Sequence, residues 1–280
     1  MKQGRRMGKY AVRAVGYSIL LTVFLFSGML SAETQSGDTA TKLNKIKESG
    51  ELIVGTSPDY PPYEFHLLND KEGEVVGLDI DIAKEIAREI GVKLTVKHVV
   101  FHKLFDALNQ GDVDLVIAGL APSEGRRQLV DFSDVYYQAI QNMLIRATDA
   151  EIITSIDDLR GKTVGTQKGS IQEDMVHKHI LGAQYVVKET INELIGDLLE
   201  KRIDAAILEK PVAESYVAKN KNLINIECRS GAYDALLGSA IAVKKGNQHL
   251  LKEVNRILKK LKRENKIVEF VEDAKILMNK

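Results

Sequence analysis

Short apolar runs alternate with amphipathic segments of helical length along most of this 280-residue chain, and the alternation runs through twice. Few folds accept such a pattern, because strand, helix and strand in succession make right-handed crossovers onto a parallel sheet. Glu51–Thr56 reads as the first strand, a proline-rich loop follows, and Glu74–Leu78 leads on. Ile80–Ile90 reads as a helix capped by Asp79. Its Ile82, Ile86 and Ile90 fall on one face, Lys84, Glu85 and Arg88 face out, and Gly91 stops it. Val92–Val99 alternates as a strand, Lys103–Asn109 is a helix stopped by Gly111, and Asp114–Ala118 is a further strand. After the strand Gln141–Arg146 the pattern starts afresh. Strands at Thr163–Thr166, Tyr185–Lys188, Ala205–Leu208 and Leu223–Cys228 alternate with helices at Ile171–Ile180, Ile191–Lys201 and Ala213–Lys219. Gly238–Val243 and helices from Gln248 to about Met278 would pack on the first sheet. The expectation is α/β, in two lobes, with crossings near Gln141–Arg146 and near Ala232–Gly238.

The stretch Asp114–Tyr137 carries the first chemical signal. Its strand ends at Gly119, Pro122 cannot continue a central strand, and Ser123 is placed to cap a helix from Glu124 to Leu129. Arg126 then stands in a first helical turn beyond the carboxyl end of a strand, where open α/β sheets bind ligands. Its planar fork suits a carboxylate, which it can grip with two parallel hydrogen bonds. The neighbouring Arg127 reads as a solvated surface residue.

Residues 1–32 are expected to lie outside the fold. Lys2, Arg5, Arg6, Lys9 and Arg13 precede the apolar run Ala14–Leu30, and Ser31-Ala32 offers small residues for cleavage. The run also approaches spanning length, so a signal peptide and a retained anchor both remain open, either placing the remaining chain outside the cytoplasm. This segment holds five of the 39 basic residues and none of the 39 acidic ones, so the remainder is 34 to 39, a net −5. An acidic exported chain is a poor nucleic-acid or anionic-membrane binder. Cys228 is alone and cannot form an internal disulfide.

Several segments resemble one known family. DYPPYEF (Asp59–Phe65), GLDIDIAKEIA (Gly77–Ala87), FHKLFDALNQGDVDLVIAGL (Phe101–Leu120), GRRQLVDFSDVYY, DDLRGKTVGTQKGS (Asp157–Ser170) and RIDAAILEKP (Arg202–Pro211) are similar to the extracytoplasmic solute-binding proteins of polar amino-acid ABC importers, the bacterial family 3 binding proteins. The resemblance runs from Leu43 to Phe270. It implies the two-lobed periplasmic-binding-protein fold, each lobe a mostly parallel sheet flanked by helices, with two hinge crossings. Residues 42–142 and 237–280 would form lobe 1 and 143–236 lobe 2, after a signal or anchor (1–32) and a linker (33–41). It further implies a monomer at the extracytoplasmic face that hands a free amino acid to ABC permease subunits, without cofactor, metal or catalysis.

Site residues follow from the same resemblance. Arg126 matches the arginine that grips the ligand α-carboxylate, and Ser170 the hydroxyl at a second-lobe helix N-terminus that donates to it. Gly119 matches the carbonyl that accepts from the α-ammonium. Glu209 matches the second-lobe acid paired with that ammonium, usually an Asp. Tyr60 and Phe101 match the aromatics that sandwich the ligand side chain, and Ser57 and Gln167 line its far end. Ala121 departs from the usual Thr or Ser, leaving only its backbone amide. Physically, an amino acid needs a fork donor for its carboxylate and an anion with a carbonyl for its ammonium. A site divided between lobes is completed only when they close. Neutral Ser57 and Gln167 disfavour an acidic ligand, whose side chain would be buried uncompensated. That leaves neutral polar ligands such as glutamine and histidine, on hydrogen bonding, and basic ones, which the aromatics, with Asp59, Glu64 and Glu173 expected near the pocket mouth, slightly favour.

Other chemistries find less support. His177 and His179 are two apart on a helix and diverge, and His98 and His102 flank a strand end without further ligands at metal spacing. Neither GxSxG nor a phosphate-binding loop occurs, and Gly161 and Gly165 merely bracket a turn and a strand. Two alternatives stay open: an exported dehydratase-like enzyme using Glu173 or Glu209 for proton transfer, and a ligand-sensing module.

Overall fold

A computed structural model describes residues 41–67, 73–228 and 237–278. The basic segment 1–32, most of the linker and most of Ala232–Gly238 lie outside the described residues. In the first half, α1 (Lys42–Ser49) leads to β1 (Glu51–Thr56) and then to a small antiparallel sheet of β2 (Asp59–Tyr60), β3 (Glu64–His66) and β4 (Val75–Val76). α2 (Leu78–Ile90), β5 (Lys93–His98), α3 (Leu104–Gln110), β6 (Leu115–Val116), α4 (Glu124–Leu129) and β7 (Val130–Phe132) follow. β8 (Tyr137–Ala139) runs into β9 (Gln141–Arg146). The second half has β10 (Thr163–Gln167), α5 (Ile171–His179), β11 (Gln184–Lys188), α6 (Ile191–Leu199), β12 (Ala205–Glu209), α7 (Lys210–Lys219) and β13 (Leu223–Glu227). β14 (Leu237–Ser239), β15 (Ala242–Lys244), α8 (Gln248–Arg263) and α9 (Lys266–Met278) close the chain.

Two five-stranded sheets result, ordered β5-β1-β6-β15-β7 and β11-β10-β12-β9-β13. They are the same design used twice. In the first, β5, β1 and β6 are parallel neighbours; in the second, β11, β10 and β12 are. Each sheet has one strand against the rest: β15 is antiparallel to β6 and β7, and β9 to β12 and β13. Those two strands are the ones entered through β8 and β14, which pair antiparallel with Leu237 opposite Ala139. A strand that arrives from a two-stranded ribbon needs no helical crossover and is free to run against its neighbours. Gln141–Arg146, expected near a crossing, is wholly a buried strand of the second sheet, and the chain changes sheets in the ribbon just before it.

Local signals explain most elements. Ile82, Ile86 and Ile90 of α2 are buried together with Val254, Ile257 and Leu261 of α8, each side chain contributing about 1.5–3 kcal/mol by leaving water. Gly91 and Gly111 end α2 and α3 in the left-handed conformation, as helix-terminal glycines do. One expectation is corrected. Asp79 does not cap α2: the cap position is Gly77, and Asp79 lies inside the first turn, fully buried. Gly77 has φ +125°, and a Cβ there would stand 2.4 Å from the Tyr63 carbonyl oxygen. Its bare backbone lets Leu78 N–H and Asp79 N–H bond the carbonyls of Pro62 and Tyr63, at 3.0 and 2.9 Å. The start of α2 is thereby fastened to the β2–β3 turn.

Candidate functional site

The carboxyl ends of β6 in one sheet and of β10 and β12 in the other, with Tyr60 of β2 and Phe101, line one pocket. From the first sheet, β6 runs out into Ala118-Gly119-Leu120-Ala121 and then α4, whose cap Ser123 accepts from Arg126 N–H at 3.3 Å. The Arg126 guanidinium donates to the Ala121 carbonyl at 3.0 Å and, from the facing lobe, to the Gly169 carbonyl at 2.9 Å. Its carbon lies 5.6 Å from the Phe101 ring centre and 5.9 Å from that of Phe105, within cation–π range. Burial pulls its pKa down to about 10, so it stays a cation at any neutral pH.

Gly119 is held from beneath. Its N–H donates to Asp79 Oδ2 at 2.8 Å, while the Tyr136 hydroxyl donates to Oδ1 at 2.7 Å. Burial raises the Asp79 carboxyl to about 6, and those two donors restrain the rise. Gly119 has φ +53°, and a Cβ would meet the Tyr60 ring at 3.1 Å. Glycine is thus required here for conformation and for space.

The second sheet supplies the opposite wall. Ser170 caps α5 by accepting from Glu173 N–H at 3.1 Å, which leaves its hydroxyl proton free to donate. Gln167, buried at the end of β10, donates to the Glu189 carbonyl at 3.2 Å. Glu209 ends β12 and is 2 % exposed. Its Oε2 accepts from the Tyr63 hydroxyl of the first lobe, and its N–H points to the Tyr60 hydroxyl at 3.4 Å. Tyr60 and Tyr63 are themselves stacked, with ring centres 5.5 Å apart. Burial pushes the Glu209 carboxyl up to about 8. The Tyr63 hydrogen bond opposes this, Asp79 adds to it, and the Arg126 charge opposes it.

The pocket is lined by Tyr60, Phe101, Gly119, Ala121, Arg126, Gln167, Ser170 and Glu209, every residue expected except one. Ser57 is buried but lines a neighbouring hollow with Asp59, His66, His98 and Glu193. Among the described lining residues Glu209 is the sole acid and Arg126 the sole base. The three acids expected near the mouth are engaged elsewhere. Asp59 Oδ2 accepts from Ile191 N–H at 2.7 Å at the start of α6, Glu173 accepts from Gly169 N–H at 2.7 Å, and Glu64 is fully buried behind the site. Burial and the nearby Asp79 raise the Glu64 carboxyl well above its ordinary range.

The sequence reading missed Gln172, which lines the pocket and donates to Gln141 Oε1 at 2.9 Å, and it missed Tyr63. Gln172 could have been found, since it follows the α5 cap by two residues and must face the same crevice as Ser170. Tyr63 gave no such signal, because its partner is 146 residues away. Among the described residues no cluster of three metal-ligating side chains occurs, and His177 lies tilted against Tyr185 with ring centres 3.8 Å apart.

Known proteins share this fold and sequence. The family profile of bacterial extracellular solute-binding proteins, family 3, matches residues 52–273. The arginine-binding extracellular protein ArtP of Bacillus subtilis is 38 % identical over 225 residues, 78 % of this chain and 84 % of that protein. The arginine-bound crystal structure of AbpA, an amino-acid ABC transporter substrate-binding protein of Streptococcus pneumoniae, superposes with a TM-score of 0.80 at 33 % identity, covering 84 % of this chain and 98 % of that one. AncCDT-1, an ancestral amino acid-binding protein and precursor of cyclohexadienyl dehydratase, superposes with a TM-score of 0.76 at 31 % identity over 83 % of this chain and 99 % of its own.

Proposed function

The chain belongs to the bacterial extracellular solute-binding proteins of family 3, and on that premise we propose that it binds a free amino acid in the pocket between its sheets and delivers it to an ABC-type importer. The observation that carries this reading is the charge layout of the pocket. One cation, Arg126, stands on the first lobe and one acid, Glu209, on the second, and both line the same pocket. A ligand carboxylate would take the Arg126 fork and the Ser170 hydroxyl, and its ammonium would take Glu209 and the Gly119 carbonyl. These groups belong to different lobes, so the ligand contributes most binding energy to the state in which the lobes touch. The β8–β14 ribbon is the proposed hinge, which moves the lobe boundary expected at residue 142 to before Gln141, because Gln141 and Asn142 already belong to β9 of the second sheet.

For the side chain we favour a basic amino acid, arginine first. Tyr60 and Phe101 line the pocket, and a flat cation against an aromatic ring gains about 0.5–2 kcal/mol. ArtP is an arginine-binding protein, and AbpA is seen with arginine bound. Asp59, Glu64 and Glu173 do not support this choice, since each is engaged or buried away from the pocket. A thermal-shift panel over the twenty amino acids tests the reading, because a ligand at 100 times its dissociation constant adds about 2.7 kcal/mol. A largest shift from glutamate or an aliphatic amino acid refutes the side-chain assignment, and no shift from any refutes the function.

One observation favours a second reading. Burial raises the Glu209 carboxyl to about 8, the range of a competent proton donor at neutral pH, and an ancestral amino acid-binding protein that is a precursor of a dehydratase shares this fold. Mass spectrometry of candidate substrates after incubation separates the two: unchanged ligand supports carriage, and turnover supports catalysis.

A further inference from the structure

The hydrogen bond between Tyr63 and Glu209 joins the two lobes at the point where the proposed function puts the ligand ammonium. Tyr63 is fully buried and its ring is fixed on two sides, stacked on Tyr60 and edge-on to Tyr137 at 5.7 Å. Its backbone carbonyl accepts from Asp79 N–H, and the carbonyl before it from Leu78 N–H, so the start of α2 fixes the hydroxyl in place. Glu209 sits at the last position of a central strand and has one methylene more than an aspartate. Its Oε2 is taken by Tyr63, which leaves Oε1 for the pocket that the residue lines.

We propose that Tyr63 is a positioning residue for ligand binding: its hydroxyl reaches across the cleft to hold Oε2 of Glu209, aims Oε1 at the ligand ammonium, and ties that contact to the meeting of the lobes. The inference rests on the amino-acid reading of the pocket. It also accounts for a glutamate in place of a shorter acid, since the longer side chain reaches Tyr63 and still presents one oxygen. Geometry of this kind is what fixes a first contact through its supporting neighbour.

The charge state of Glu209 makes the idea measurable. The ionisable groups facing it are Tyr60, Tyr63 and Glu64 from the β2–β3 turn, Asp79 from α2, Arg126 from α4, and Tyr136 and Tyr137 beside β8. Only the ionised acid pairs with an ammonium. Affinity therefore rises with pH until Glu209 of the free protein is ionised and then levels off. A donated hydrogen bond favours the ionised form, so removing the Tyr63 hydroxyl moves that levelling-off to higher pH.

Calorimetric titration with L-arginine, and with L-histidine as a second probe, from pH 6 to 8.5 on the wild type, Tyr63→Phe, Glu209→Gln, Glu209→Asp and the Glu209→Asp/Tyr63→Phe double variant tests this. Tyr63→Phe is expected to weaken binding about tenfold at pH 7, the effect of one hydrogen bond to a charged group, and to shift the pH dependence upward by about one unit. With Glu209→Asp, which is too short to reach the hydroxyl, the same substitution should cost less than about twofold. Melting temperatures of the ligand-free variants check that each is folded. Tyr63→Phe with unchanged affinity and pH profile, while Glu209→Gln loses binding, overturns the role of Tyr63 and leaves the site reading standing. An equal loss in the Glu209→Asp background shows mere packing and overturns it too. Undiminished binding by Glu209→Gln, or failure of the wild type to bind either probe, overturns the amino-acid reading beneath it.

Discussion

Replacing Glu209 by glutamine should stabilise the ligand-free protein while destroying its affinity for an amino acid. Burial holds this carboxyl at about 8, against an ordinary value of 4.5. At pH 7 the folded protein retains a proton that the unfolded chain has released. A gap of about 2.5 pH units at about 1.36 kcal/mol each makes the penalty about 3 kcal/mol, rising to about 5 kcal/mol above pH 8. Both figures are upper bounds, because opening of the cleft rehydrates the acid. The sign follows from the raised pKa: the group's contribution is intact below pH 4.5, declines as pH rises, and is lost by pH 8. Glutamine keeps the shape and an acceptor for Tyr63 without the titration. For a chain of this size the variant should melt about 6–12 °C higher at pH 7 and about level with the wild type at pH 4. Differential scanning calorimetry of ligand-free protein across pH 4–8.5 reads this directly. A difference independent of pH, or a variant less stable than the wild type at pH 8, refutes the argument that this acid is held at a cost for the sake of binding.

Other perturbations probe the remaining parts. Arg126→Ala should lose about 2–5 kcal/mol of ligand affinity in a folded protein, and calorimetry showing full affinity would contradict the carboxylate assignment. Gly119→Ala combines a left-handed backbone with a Cβ 3.1 Å from the Tyr60 ring, so it should cost about 1–2 kcal/mol of stability and weaken binding, as measured by urea unfolding and titration. Asp59→Ala frees the Ile191 N–H from which Asp59 accepts across the lobes, and should cost about 0.5–2 kcal/mol of the state in which they touch. Small-angle scattering should show wild type contracting on ligand addition with an unchanged circular dichroism spectrum; an unchanged radius of gyration would count against the hinge.

Much of this protein was legible in its sequence because the signals involved are local. The periodicity of Ile82, Ile86 and Ile90, the stops at Gly91 and Gly111, and the caps Ser123 and Ser170 each depend on a few adjacent residues. They were enough to place β1, α4, β12 and the helices between them within a residue or two, and so to put Arg126, Ser170 and Glu209 at strand and helix ends. Tertiary structure decided what those ends do to one another. Asp79 looks like a helix cap to its neighbours in sequence, but the docking of α2 on the β2–β3 turn buries it beneath Gly119, 40 residues away. Asp59 looks like a surface acid beside the pocket, yet its carboxylate accepts from Ile191 N–H in the first turn of α6 of the other lobe, 132 residues on. The lone antiparallel strand in each sheet comes from the chain's path through the β8–β14 ribbon, which no apolar run records. The burial that raises the Glu209 carboxyl involves segments far away in the chain, since Tyr63 and Tyr60, which bond it, lie 146 and 149 residues before it. Hydrogen bonds and desolvation act over a few ångströms of space, so their pairings are set by how distant segments pack and not by the order of residues that encodes each segment.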